Sequence, residues 1–205
     1  KGLDKHMKLK DFIVAEAIVA ELAASDRDGA LRELVTSLAT AGALPADAVD
    51  DVVGALIKRE QNGSTGFGKG VAVPHVKHAK VTKMAGTVGR SVNGIDFAAL
   101  DNQPVYSVVL LLSPENQPQQ HLQAMNIVFS NLQKDTFRRF LRGSATREAI
   151  VELLAADGKA LIALNAAIFA ADKSDRMAAL RVRYREEEAA LAVSLLYWAR
   201  RRGWW

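Results

Sequence analysis

The chain has 205 residues and not one cysteine. That absence removes disulfides, thiol nucleophiles, cysteine–zinc sites and iron–sulfur clusters at once, and suits a cytosolic protein. Long apolar runs are missing too. The best candidates, residues 160–171 and 189–199, are broken by Asn165 and Ser194, short of the roughly 18–20 residues a membrane span needs. No secretory signal is expected: residues 1–6 are polar and read as a non-native remnant ahead of a start at Met7. Nor is there an internal repeat or a low-complexity linker. A large charge imbalance is lacking in the main part of the chain. The net charge is +4, but from Asp172 onward eight basic residues face five acidic ones, so the tail holds +3 of it. The basic balance therefore says little about the main domain's partner.

What is present is 49% hydrophobic residues beside 24% charged ones, which excludes a disordered chain. A chain this long buries about 70% of its unfolded surface and folds without metal or disulfide. The length fits one ordinary domain plus an appendage, or two small domains. Residues 17–22 are an apolar run that reads as a strand. Ser25 reads as the cap of a helix whose apolar positions are Leu31, Leu34, Val35 and Leu38, ended by Gly42. Pro45 opens a second helix with Val49, Val52, Val53, Leu56 and Ile57 as its buried stripe. Strands are expected at 71–73, 85–92 and 105–113, the last covered on both faces because residues 108–112 are apolar without alternation. Helices are expected at 119–132, 136–141 and 147–155. Strands alternating with helices give an α/β domain with a mixed sheet flanked by helices.

Residues 63–70 hold four glycines, which no packed helix or strand favours. Gly63-x-x-x-x-Gly68-Lys69 approaches the nucleotide phosphate-loop pattern, but Gly70 replaces its Ser or Thr. The context is also wrong, with a charged helix end (Lys58-Arg59-Glu60) before the loop and a Val-Ala-Val strand after it. A tight turn needs two glycines. Four, with Ser64 and Thr65 among them, point to backbone N–H groups brought close to an anion. The loop delivers the chain to Pro74-His75, at a strand end where α/β folds place ligands. Neutral imidazole is a good nucleophile near neutral pH and suits transient phosphoryl transfer, and Arg59 is the nearest cation upstream.

The segment Arg59-Glu-x-x-Gly-Ser-Thr-Gly-Phe-Gly-x-Gly-Val-Ala-Val-Pro-His75 resembles the active-site signature of the IIA components of the bacterial phosphotransferase system, in the fructose/mannitol/nitrogen-regulatory class. The resemblance continues through Asp101-Asn-Gln-Pro-Val105, Leu112-Ser-Pro114, His121-Leu122 and residues 137–141, and covers residues 7–156. It implies that His75 is phosphorylated by a phosphohistidine carrier of the HPr type. It implies that His121 and Arg59 support the phosphoryl group, and it matches Glu60, Ser64, Thr65, Gly66 and Gly68 to motif positions around that site. The downstream partner would be a IIB component or a regulatory target, and no cofactor is implied. Phe67 and Val76 depart from the usual aliphatic or small residues of the loop, and Met125-Asn126 interrupts an expected apolar helix face. A stand-alone nitrogen-type regulator is expected ahead of a sugar-specific subunit or a non-phosphorylated interaction module, because no transporter segment accompanies the domain.

His75-x-x-His78 with His121 can be drawn as a zinc triad, but the spacing on a post-strand loop is a weak metal signal with no acidic residue beside it, so no metal is expected. His78 reads as a solvated loop residue. The domain is placed at 7–160. Residues 161–205 are expected to form a C-terminal helical extension: Met177, Leu180, Tyr184, Leu191, Leu195 and Trp198 lie near a helical stripe. That stripe is expected to need a covering surface, its own domain, a second copy or a membrane, with a second copy and so a homodimer favoured. Three adjacent arginines (200–202) are too small a footprint for nucleic acid.

Overall fold

The computed structural model describes residues 7–156. Its elements in chain order are α1 (Arg27–Thr40), α2 (Val49–Gln61), β1 (Gly66–Gly68), β2 (Val71–Ala72), β3 (His75–Lys77), β4 (Ala85–Ile95), β5 (Val105–Ser113), α3 (Pro118–Leu132), α4 (Asp135–Gly143) and α5 (Arg147–Ala155). The sheet is mixed. β5 is central, antiparallel to β4 on one side and parallel to β2 and β3 on the other. β2 and β3 are two pieces of one interrupted edge along β5, pairing Val71 with Ser107 and His75 with Leu111. β1 folds back antiparallel on β2.

The expectation for β5 holds residue for residue. Val108, Val109, Leu110, Leu111 and Leu112 are all at most 3% exposed, because side chains alternate between two cores. Val109 and Leu111 face α3, α4 and α5, whereas Val108, Leu110 and Leu112 face α1 and α2. The chain is thus a sheet between two helical layers.

Two expectations are corrected at the N-terminal edge. Residues 17–22 do not form a strand. A short 3₁₀ turn at Ala15–Ala17 precedes single parallel bridges such as Val19 to Gly89, with Val19 N–H donating to the Val88 carbonyl at 2.9 Å. The run lies along the rim of β4. It sends Ile18 into one core and Ala17 and Leu22 into the other, which a flat strand cannot do with the same backbone. The cap of α1 is Asp26, one residue beyond the expected Ser25, and its Oδ1 accepts the Gly29 N–H at 2.9 Å. Either residue type can cap; the Ser25 carbonyl is engaged instead by the Asp96 N–H. At the other end Gly42 adopts φ +74°, and the Ala43 N–H reaches back to the Leu38 carbonyl, closing the helix as expected.

Candidate functional site

The site is assembled from the end of α2, the loop after it, the β2–β3 break, the end of β5 and the first turn of α3. The last turn of α2 carries two adjacent residues that point apart. Glu60 is buried, at 3% exposure. Its carboxylate accepts the Thr65 N–H at 2.8 Å and the Thr65 hydroxyl at 2.6 Å, so a charge withdrawn from water is held by two strong bonds. Arg59 turns outward and donates to the Gly63 carbonyl at 2.8 Å. The Ser64 hydroxyl donates to the Phe97 carbonyl at 3.2 Å and accepts the Gly66 N–H at 3.1 Å.

Two N–H groups of the glycine loop do meet anions, and these anions are the protein's own carboxylates, Glu60 and Asp101. Thr65 and Gly66 spend theirs on Glu60 and Ser64, and Lys69 gives its N–H to Asp101 at 2.9 Å. The glycines answer to space and backbone geometry. A Cβ on Gly66 would stand 2.9 Å from the Cβ of Ala99, and Gly68, at φ +95°, would meet the Asp101 carboxylate at 2.8 Å. The residues form a tight hairpin, β1 to β2, fastened to the loop before β5.

Beyond the hairpin, the Val73 N–H bonds the Thr65 carbonyl. Pro74 has no N–H to offer β5, which separates β2 from β3; its carbonyl accepts the Leu111 N–H at 3.0 Å and pairing resumes at His75. The His75 ring bends back, and its Nδ1 lies 2.8 Å from the Val73 carbonyl. A carbonyl only accepts, so Nδ1 carries the proton and Nε2 of the neutral ring keeps its lone pair. His75 is half-buried. Burial pushes its pKa below the ordinary histidine value, the Arg59 charge adds to this, and the Val73 bond and Glu60 oppose it.

His121 sits in the first turn of α3, buried at 8% exposure. Its Nδ1 lies 2.9 Å from the hydroxyl of Ser113, the last residue of β5. The two imidazoles stand 5.5 Å apart, centroid to centroid, with their planes at 48°. Burial lowers the His121 pKa as well, followed by the charges of His75 and Lys77. Both rings are thus held toward the neutral form, and Arg59 and Lys77 supply the nearby positive charge. Such a site can receive a dianion at one ring nitrogen.

Of the residues singled out in the sequence, His75, His121 and Arg59 converge here. Glu60, Ser64, Thr65, Gly66 and Gly68 fix the path of the chain into it. Sequence reasoning missed Ser113 and Lys77. Lys77 had a signal: two residues beyond His75 on the same strand, it shares that face. Ser113 lies within the Leu112-Ser-Pro114 segment of the resemblance, which gave it no role of its own. His78 lies just past β3, with Nδ1 accepting the Lys80 N–H at 3.2 Å. Among the described residues no group of three His, Cys, Asp or Glu side chains is placed to hold a metal ion. Phe67 packs on Phe129, ring centroids 5.4 Å apart.

Residues 11–157 match the model of the family described as "Phosphoenolpyruvate-dependent sugar phosphotransferase system, EIIA 2". The chain is 36% identical to a nitrogen regulatory protein of Bradyrhizobium diazoefficiens over 73% of this chain and 95% of that one. It is 30% identical to the fructose-specific EIIABC component of Bacillus subtilis, over 72% of this chain but only 23% of that much longer protein. The crystal structure of the nitrogen regulatory protein IIA-Ntr from Neisseria meningitidis superposes with a TM-score of 0.64 at 28% identity, covering 70% of this chain and 97% of that one.

Proposed function

Because the chain belongs to the EIIA 2 family of the sugar phosphotransferase system, we propose that it is a phosphocarrier that accepts a phosphoryl group on Nε2 of His75 from a phosphohistidine protein of the HPr type. The observation that carries this reading is the His75 ring, pinned through Nδ1 to the Val73 carbonyl and facing His121 at 5.5 Å.

In the transfer, the Nε2 lone pair attacks phosphorus and the bond from phosphorus to the donor imidazole breaks. The proton stays on Nδ1 and is donated to the Val73 carbonyl, which stabilises the charge that develops on the ring. In the proposed tautomer the Ser113 O–H is the hydrogen-bond donor to Nδ1 of His121, so the ring keeps its proton on Nε2 and offers it to a phosphoryl oxygen. Arg59 and Lys77 offset the remaining negative charge. Catalysis rests on positioning and electrostatics rather than on a further covalent group. A regulatory role of the nitrogen type is favoured over sugar transport, because the nitrogen regulatory relative is matched at higher identity, 36% against 30% for the fructose-specific ones.

Incubation with phosphoenolpyruvate and the donor proteins should give an acid-labile phosphoryl adduct on the peptide containing His75, read by mass spectrometry at neutral to alkaline pH. His75→Gln should lose it with the fold intact. Equal labelling of that variant refutes the nucleophile. Onward transfer to a fructose-type IIB protein at the rate of donor transfer would favour the sugar-specific role over the regulatory one.

A further inference from the structure

A second site lies at the other end of the strands that carry His75. A cavity of about 400 Å³ opens between the β1–β2 turn, the start of β5 and α4, and none of its walls belongs to the His75 site. Its volume falls in the range of small-molecule pockets. It includes Ser107, four residues before the Leu111 that faces His75, or about 13 Å along the strand.

The walls are strongly basic. α4 contributes Arg138, Arg139 and Arg142, and the turn contributes Lys69. Two carboxylates are also present, but both are engaged. Asp135 takes the Arg138 guanidinium at 3.1 Å, and Asp101 accepts the N–H groups of Lys69 and Gln103 at 2.9 and 3.1 Å. Among the described residues, the side chains of Lys69, Arg139 and Arg142 have no acidic partner. With Asp101 counted, four cations face two carboxylates, so the walls carry a net charge of +2; this raises the potential of the space, and folding gains no ion pair from Lys69, Arg139 or Arg142.

The Arg142 guanidinium lies 3.3 Å over the Tyr106 ring. Stacking fixes the plane of its fork while the edge N–H groups stay free for an acceptor. A planar, pre-oriented fork beside a second arginine and a lysine matches the oxygens of a phosphate group. A single phosphate would leave most of the space empty.

We propose that this cavity binds a small molecule bearing a diphosphate group, held by Lys69, Arg139 and Arg142, at a place independent of His75. The inference goes beyond the phosphocarrier reading and does not depend on it.

The test is a ¹⁵N NMR titration of the full chain with pyrophosphate and, separately, with adenosine diphosphate. Saturable shifts are expected at the amides of Lys69, Gly70, Tyr106 and Arg139, with those of Arg59 and His75 unmoved. Tighter binding of the nucleotide would identify a nucleoside diphosphate as the ligand class, and equal binding a diphosphate without a ring requirement. Arg139→Gln with Arg142→Gln should weaken binding by about tenfold or more, as expected for loss of charge-assisted bonds to phosphate. Arg139→Gln alone removes an exposed side chain without an ionic partner; it is the fallback if the double variant unfolds, and should weaken binding measurably. Absence of saturable shifts overturns the proposal. So do shifts centred on His75 or on the basic residues 172–205, or an affinity unchanged by the substitutions.

Discussion

The His75 imidazole is held in one tautomer by one carbonyl, so its response to pH has a definite direction. Burial and Arg59 lower its pKa below the ordinary 6.5, and the ring is neutral and nucleophilic at neutral pH. Between the lowered value and 6.5 the unfolded chain binds more protons than the folded one, so the histidine's contribution to stability is present above pH 6.5 and is lost as pH falls through the folded value. NMR titration should place both His75 and His121 below the ordinary value. The urea midpoint of the wild type should fall more steeply on acidification than that of His75→Gln. Phosphorylation replaces a neutral neighbour of His121 by a dianion, and the His121 pKa should then rise. Arg59→Ala should leave the nucleophile in place and slow phosphoryl acceptance by roughly 10²–10³-fold, the usual effect of removing one charge-stabilising donor. A rate within a factor of two of wild type would show that Arg59 serves only the Gly63 carbonyl.

At the scale of elements, the end of α2 and the β1–β2 hairpin work as one fastening. Glu60 holds Thr65, Thr65 holds Val73, and Val73 holds the His75 ring. Glu60→Ala leaves the Thr65 N–H and hydroxyl without acceptors in a buried place, at a cost of about 1–3 kcal/mol for each group. Urea denaturation should show that loss, and phosphoryl labelling at equal folded fraction should slow, because the carbonyl that sets the ring moves with the loop. Asp26→Ala is the control. It removes the cap of α1, worth about 1 kcal/mol, and should leave labelling unchanged. The lesson for reading sequences is local. The pattern over residues 59–75 pointed to the candidate site and to N–H groups near an anion, but not to the protein's own carboxylates as that anion. Spacing alone does not say which donors are already satisfied, because the acceptors, Glu60 and Asp101, are brought in by burial and by a loop 32 residues away.

At the scale of the whole molecule, one buried strand joins two cores, and the phosphoryl site and the basic cavity lie at its opposite ends. Among the described residues no helix is long and apolar enough to cross a membrane. The C-terminal extension expected over residues 161–205 lies outside the described residues. Its proposed part is association rather than chemistry: deleting residues 161–205 should leave His75 labelling unchanged and lower the mass seen by sizing with light scattering, and an unchanged mass would remove the dimer. The sequence by itself determined the helices and strands whose periodicity is strong. Unbroken apolarity over residues 108–112 specified β5 as a strand covered on both faces, and Thr146 with the apolar spacing after it specified α5. It also determined the candidate nucleophile, since a proline and a histidine after a glycine hairpin form a contiguous pattern. Only the tertiary structure set which side chains stand beside that candidate nucleophile. His121 stands 5.5 Å from it and Ser113 holds the His121 ring, through strand register and helix packing, and the basic face of α4 meets Lys69 across a separation of about 70 residues. Contacts of that kind depend on where the elements pack in space, and no local pattern in the chain encodes them.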